Sequence, residues 1–298
     1  MKREKLIKYI SPYEVTGGGK FRLKDFSPGD KGHFKGTDDE GGEEAKKLLH
    51  AGIKKMSDLQ ELLYAQDRWA VLLIFQAMDA AGKDGTIKHV MSGINPQGCH
   101  VHSFKAPSAV ELDHDFMWRT SVALPERGQI GIFNRSYYEE MLVVRVHKEM
   151  LKAERLPESL VTKKIWKQRL EDVRNYEQYL SRNGVVVRKF FLHLSKGEQR
   201  RRFLARLDNP LKHWKFSAAD LKEREFWDDY QGAYEDMIGE TASKEAPWYV
   251  VPADHNWYTH LVVAAVIIET LESLGLTMPN ISEEQRKQLE KARKILTK

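Results

Sequence analysis

Residues 71–90, VLLIFQAMDAAGKDGTIKHV, constrain this chain more than any other stretch. Val71-Leu72-Leu73-Ile74-Phe75 is a continuous apolar run, the pattern of a strand buried on both faces of a parallel sheet. The chain then turns through the small residues Ala77, Ala80, Ala81 and Gly82, and leaves with helical spacing at Thr86, Ile87 and Val90. A strand that re-emerges as a helix through such a loop aims backbone N–H groups and a positive helix end at an anion. Lys83 at the end of the loop makes phosphate the anion that fits. Laid on G-x-x-x-x-G-K-[ST], residues 77–84 keep Gly82 and Lys83 but carry Ala77 for the first glycine and Asp84 for the hydroxyl residue. The alternative is a tight turn without a ligand.

The chain is long enough, at 298 residues, for one large α/β domain or two modest ones. With 41% hydrophobic and 31% charged residues it reads as globular and soluble. The longest apolar run, residues 261–268, is too short to span a bilayer. The basic start lacks the apolar core of a secretory signal. One cysteine, Cys99, excludes an intrachain disulfide and any multi-cysteine metal site. A cytoplasmic protein is expected. The net charge of +5 is too mild to point to nucleic acid.

Five strand patterns alternate with helical ones: 71–75, 98–104, 129–133, 185–194 and 248–251. That order predicts an α/β fold, a doubly wound parallel sheet of about five strands. Capping signatures predict helix starts at Ser11, Ser57, Ser108, Ser136, Ser195, Ser217 and Ser282, and Pro157 is read as opening a long helix. The segment before residue 52 is glycine-rich, with Gly17-Gly18-Gly19, Gly36 and Gly41-Gly42, and reads as an extended arm. Ligands of such sheets sit at the carboxyl ends of the strands. Asp79, Asn134-Arg135, Ser195 and Asp254 are therefore expected to be neighbours in space.

Several residues there suit phosphate chemistry. Asp79 is placed to hold Mg²⁺ or orient an attacking phosphate, or else to bond its own turn. Asp84 is either an oxygen ligand for the metal or a charge that favours the helix N-terminus. Arg135 is read as gripping phosphate bidentately, or as pairing with Glu139 or Glu140. Arg200, Arg201, Arg202, Arg206, Lys212 and Lys215 crowd into sixteen positions after the fourth strand. Such a run is usually a solvated face; here its place fits a mobile lid that brings cations onto a transferring group. Trp214, Phe216, Phe226, Trp227 and Tyr230 are mostly read as core.

The motifs FQAMDAAGKDGTIKHVMSGINPQG, IGIFNRSYYEEMLVVRVH, RRRFLARLDNPLKHWKFSAADLKEREFWDDY and APWYVVPADHNWYTH occur in this order. Together they resemble the polyphosphate kinase 2 family over roughly residues 54–274. The resemblance implies a P-loop kinase, thymidylate-kinase-like, with a helical lid around 196–216 inside a kinase domain of 57–276. Residues 1–56 would be an arm and helix packed on the core, and 277–298 a C-terminal helix. It implies phosphoryl transfer from inorganic polyphosphate to AMP or ADP, or the reverse, with Mg²⁺ or a substituting Mn²⁺. Asp79, Lys83 and Arg135 would be catalytic. Ala80, Ala81, Gly82, Lys83, Asp84 and Gly85 would bind the phosphate chain, with Lys88 and the six lid cations as its track. Asp79, Asp84 and Asn134 would form the metal set, the load shifting to Asp79 because Asn134 stands where many members have Asp. Phe104, Asp113, Trp118, Arg119, Asn134 and Arg135 are the nucleotide-side candidates. A homo-oligomer is expected, adenine is the favoured base, and neither nucleic acid nor membrane is an expected partner. An ATP-dependent nucleotide kinase of the same fold and a non-catalytic polyanion-binding protein are the competing readings.

Overall fold

In the computed structural model, residues 3–34 and 42–297 are described; Gly36 and Gly41 of the glycine-rich arm lie outside them. In chain order the elements are α1 (Arg3–Ile10), β1 (Glu14–Val15), α2 (Gly42–Gln66), β2 (Ala70–Ala77), α3 (Lys83–Val90), β3 (Cys99–Ser103), α4 (Ala109–Leu112), α5 (Trp118–Ser121), β4 (Ile130–Asn134), α6 (Glu139–Val146), α7 (Ile165–Arg182), β5 (Val185–His193), α8 (Lys196–Leu207), α9 (Ala218–Glu223), α10 (Trp227–Thr241), β6 (Trp248–Pro252), α11 (Asn256–Ser273) and α12 (Glu283–Leu296).

The sheet has six strands in the order β1-β6-β5-β2-β4-β3. Five run parallel; the two-residue β1 pairs antiparallel with β6, Glu14 opposite Tyr249. The predicted five strands are present, and the sixth comes from the arm. β2 is buried at every position and splits its side chains between two cores. Val71, Leu73 and Phe75 face a core shared with α1, α2 and α11, while Leu72 and Ile74 face one shared with α6, α7 and α10. This two-sided burial is why the strand reads as an unbroken apolar run. β3 is the edge strand opposite β1, and Val101 on it is 51% exposed.

Chain order reverses at β2, which lies between β4 and β5. The crevice beyond its carboxyl end is the position where doubly wound sheets bind ligands. No helix of the described residues is long and apolar enough to cross a membrane.

Some predicted helix starts moved. Ser57 lies inside α2, because Met56 and Leu63 are fully buried and carry that helix through the capping signature. Ser11-Pro12 ends α1 instead of opening a helix, since Tyr13 is buried and Glu14-Val15 pair with β6. Pro157 leads only a single 3-10 turn, Glu158–Leu160, and α7 begins at Ile165. The helix predicted from Ser108 breaks into α4 and α5, because Asp115 turns the chain by accepting from the Met117 N–H.

Candidate active site

The loop after β2 is built on two left-handed residues, Ala80 at φ +63° and Gly82 at φ +98°. Gly82 is the N-cap of α3, and a Cβ there would meet only ordinary contacts, 3.4 Å from Asn256 Oδ1. The backbone angle, not crowding, is what asks for glycine. Lys83 Nζ donates to the Ala77 carbonyl at 2.8 Å, so the lysine ties the two ends of the loop together. Burial lowers its pKa, and Arg135 lowers it further; Asp79, Glu139 and Asp84 oppose them.

The end of β4 faces this loop. Arg135 also takes a left-handed backbone, φ +66°, and its N–H donates to Phe75 O at 3.0 Å. Its guanidinium lies 3.4 Å from Asp79 Oδ1 and 3.6 Å from Glu139 Oε2. Of the two sequence readings of Arg135, the pairing with Glu139 is seen, and the guanidinium also faces the loop through Asp79. Glu139 raises the Arg135 pKa, while burial pushes the Glu139 carboxyl upward against the pull of Arg135 and Lys83. Asn134 Nδ2 donates to Asp84 Oδ1 at 2.6 Å, which aims the Asp84 carboxylate.

α8 closes the loop from the third side. Ser195 caps it, accepting from the Glu198 N–H, and the Ser195 N–H donates to Asp254 Oδ1 at 2.8 Å. Asp79, Asn134-Arg135, Ser195 and Asp254 thus lie on one rim. Gln199 Nε2 donates to the Asp79 carbonyl at 2.9 Å.

The lid cations divide. Arg202 is a correction to the sequence reading. Its Nε donates to Glu198, Nη1 to the carbonyls of Ala80 and Ala81, and Nη2 to those of Ala253 and Asp254. All five donors of a guanidinium are committed to protein acceptors. Arg202 holds the loop from behind, and this arrangement leaves it no free donor for a phosphate chain. Arg201 makes a bidentate pair with Glu198, and Arg206 faces Asp220 at 3.6 Å. Lys88, Arg200, Lys212 and Lys215 are exposed, Lys215 standing 4.9 Å over the Trp214 ring. Trp214, read as core, is 78% exposed, whereas Trp227 and Tyr230 are buried. Gly85 opens onto free space at the start of α3.

Two cavities meet at Arg135, Glu139 and Val143. One, of about 250 Å³, lies against Asp79, Asp220, Glu223, Tyr230 and Tyr234. The other, of about 360 Å³, is walled by Phe104, Phe116, Arg119, Glu111, Glu140 and Glu154. Arg119 lies 5.6 Å over the Phe104 ring and donates to Lys105 O. The predicted Asp113 and Trp118 are not on these walls: Asp113 pairs with Arg155, and Trp118 stacks on His114 at 4.0 Å. Glu154, Phe116 and Gln199 escaped sequence reading as site residues, and Glu140 entered it only as an alternative partner of Arg135. They sit on elements whose packing brings them in, and no local motif marks them.

The donor set suits a hard divalent cation. Asp79 and Asp84 offer carboxylate oxygen on either side of Lys83. Among the described residues no group of three His, Cys, Asp or Glu is assembled to hold a metal. Mg²⁺ is characteristically held by one or two carboxylates together with substrate phosphates, and these residues fit that mode.

The family model described as Polyphosphate kinase 2 matches residues 39–277. The chain belongs to the polyphosphate kinase 2 family. It is 58% identical over 260 residues to an ADP-polyphosphate phosphotransferase of Rhodopseudomonas palustris, covering 87% of this chain and 90% of that one. It is 45% identical over 270 residues to an AMP/ADP-polyphosphate phosphotransferase of Meiothermus ruber, covering 91% and 96%. The crystal structure of a polyphosphate kinase 2 from Arthrobacter aurescens superimposes with a TM-score of 0.83 at 35% identity, covering 94% of this chain and 95% of that one. Membership of the family and the α/β fold of its solved members agree with what the four motifs imply.

Proposed function

We propose that this chain transfers a phosphoryl group between inorganic polyphosphate and a nucleoside mono- or diphosphate. One observation carries the reading for the site: Lys83, Asp79 and Arg135 converge at the crevice beyond β2, with Asp79 on the wall of one cavity and Arg135 where it joins a second of different character. The roles follow from that geometry. Lys83 and the N–H groups of the loop hold the terminal phosphoryl of the donor. Arg135 sits where the two cavities join and stabilises charge on the transferring oxygens. The acceptor phosphate approaches in line past Asp79. Its nucleoside enters the larger cavity, where Phe104 and Phe116 offer ring faces and Arg119 and the glutamates offer polar edges.

Mg²⁺ bound through Asp79 and Asp84 would supply charge neutralisation at the phosphates. Asn134 then orients Asp84 instead of adding a third carboxylate. Arg200, Arg206, Lys212, Lys215 and Lys88 form the track along which a long polyanion lies. Adenine as the favoured base, a homo-oligomeric assembly and a cytoplasmic location complete the proposal. Residues 1–56, 57–276 and 277–298 serve as arm, kinase domain and tail.

The test is a coupled assay of ATP formed from ADP and polyphosphate, with AMP, GMP and GDP run beside it. Activity is expected in the wild type and a loss of at least about 10³-fold in Lys83→Ala, the scale on which positioned phosphate contacts act. Activity with ATP alone as donor would overturn the choice of polyphosphate. Tight polyanion binding without turnover would overturn the enzyme.

A further inference from the structure

Lys189 is fully buried in the middle of the sheet, opposite Ile74 of β2 and Trp248 of β6. A lone ammonium there would be untenable. Its three donors meet three acceptors: Glu177 Oε2 at 2.5 Å, Thr241 O at 2.8 Å and Tyr138 OH at 3.2 Å. Glu177 on α7 is 1% exposed, and its other oxygen accepts from Tyr137 OH at 2.9 Å and Tyr138 OH at 2.8 Å. Burial, then Glu177, push both phenol pKa values well above their ordinary value, so both hydroxyls remain donors. Thr241 is fixed in turn by the indole N–H of Trp248 at 2.9 Å. The network is closed, and no part of it touches either cavity.

Such a pair is a weak source of net stability, because apolar residues of equal volume would serve as well. What it supplies is direction. Tyr137 and Tyr138 stand two and three residues beyond Arg135, on the turn that opens α6. Upstream, Arg135 is pinned by its N–H bond to Phe75 O. Downstream, the turn is pinned by these two buried phenols and by Ser136 Oγ, which accepts from the Tyr138 N–H. A left-handed backbone at a non-glycine residue persists only where its surroundings over-determine it.

We propose that the Lys189–Glu177–Tyr137–Tyr138 network is a positioning device for phosphoryl transfer, holding the turn after β4 so that the Arg135 guanidinium stays between Asp79 and Glu139. This rests on the reading of Arg135 as the residue that serves the transferring group. Lys189, Glu177 and the two tyrosines are positioning residues; they meet no substrate.

The test is a double-mutant cycle between Arg135→Ala and the paired change Tyr137→Phe/Tyr138→Phe, assayed with ADP and polyphosphate well below the melting temperature of each variant. The tyrosine pair is expected to lower kcat about tenfold in the wild-type background and less than about twofold in Arg135→Ala, since groups acting through one residue are non-additive. KM for ADP should stay within about twofold in both. Equal losses in the two backgrounds would show general loosening and overturn the proposal. So would an unchanged kcat in the wild-type background. Should Arg135→Ala itself leave kcat intact, the role of Arg135 falls, and the positioning proposal falls with it, whatever the tyrosines do. Tyr138→Phe alone leaves Glu177 the Tyr137 hydroxyl and is the milder variant should the pair not fold. It must show the same dependence on Arg135 at about threefold.

Discussion

Glu140 shows how a single carboxyl can tie stability to pH. It follows Glu139 on α6, is 6% exposed, and shares the Arg169 guanidinium with Glu154. Two carboxylates beside one arginine leave a negative surplus in a buried place. Burial, then Glu154, push the Glu140 carboxyl up to about 7, with Arg169 opposing. The folded state therefore binds this proton more tightly than the unfolded chain does. The associated stability is present below the ordinary carboxylate range and is lost as pH rises from about 4.5 to about 7. Glu140→Gln is neutral throughout and should remove that loss. In ligand-free protein, the melting temperature of Glu140→Gln relative to wild type is expected to rise across this window by more than about 2 °C and then level off. Parallel melting curves across the window would refute the assignment. Nothing in the sequence gave this away: Glu140 was visible as one of two acids near Arg135, but Glu154 and Arg169 reach it only through packing of the 3-10 turn Lys148–Glu154 and α7.

At the scale of elements, α8 carries both what the sequence shows and what it hides. Its start was legible, because the Ser195 cap is a local signature that the strand end does not override. Its cluster of arginines was legible as charge but not as direction. Arg200, Arg201 and Arg202 are consecutive, so they point to different sides of the helix. Only Arg202 faces back to the loop, where four carbonyls wait for it. Two of those carbonyls belong to Ala80 and Ala81, in the loop that leads into the Lys83 end offered to phosphate in the proposed mechanism. Arg202→Lys keeps the charge but cannot span four carbonyls. It is expected to cost about 2–3 kcal/mol of stability and to raise KM for polyphosphate about tenfold with a smaller change in kcat. Thermal melts and steady-state rates check both. A kcat loss with unchanged KM would place Arg202 on the transferring phosphoryl after all. The false starts at Ser57 and Ser11 have the same origin. A capping motif fixes a helix end only where tertiary burial does not continue the helix or claim the residues for the sheet.

At the scale of the whole molecule, the two ends of the chain differ in a way that composition obscures. Both are charged, and the glycines of the first make it read as an extended covering. In the fold, Leu6, Tyr9 and Ile10 of α1 are buried against α11, and β1 extends the sheet beyond β6. Tyr13 OH donates to Asp30 at 2.7 Å and lies 2.9 Å from Tyr258 OH. The arm even reaches the site's rim, since the Asp254 N–H donates to Pro28 O. By contrast, every described residue of α12 is exposed, so its apolar positions Leu289, Ile295 and Leu296 bury nothing. A chain beginning at Thr16 loses Leu6, Tyr9, Ile10 and Tyr13, four buried side chains worth about 1.5–3 kcal/mol each. The sum, roughly 6–12 kcal/mol, rivals the whole stability of an ordinary domain. That truncation is expected to abolish a cooperative melt or lower it by more than about 15 °C. A chain ending at Leu276 should melt within about 2 °C of the full chain and keep its rate. Calorimetry on the two truncations decides the matter. Equal tolerance would mean that the arm is only a covering, as its glycines imply. Loss of rate on removing the tail, at an unchanged melting temperature, would give α12 a part in turnover that its exposure in one chain does not explain.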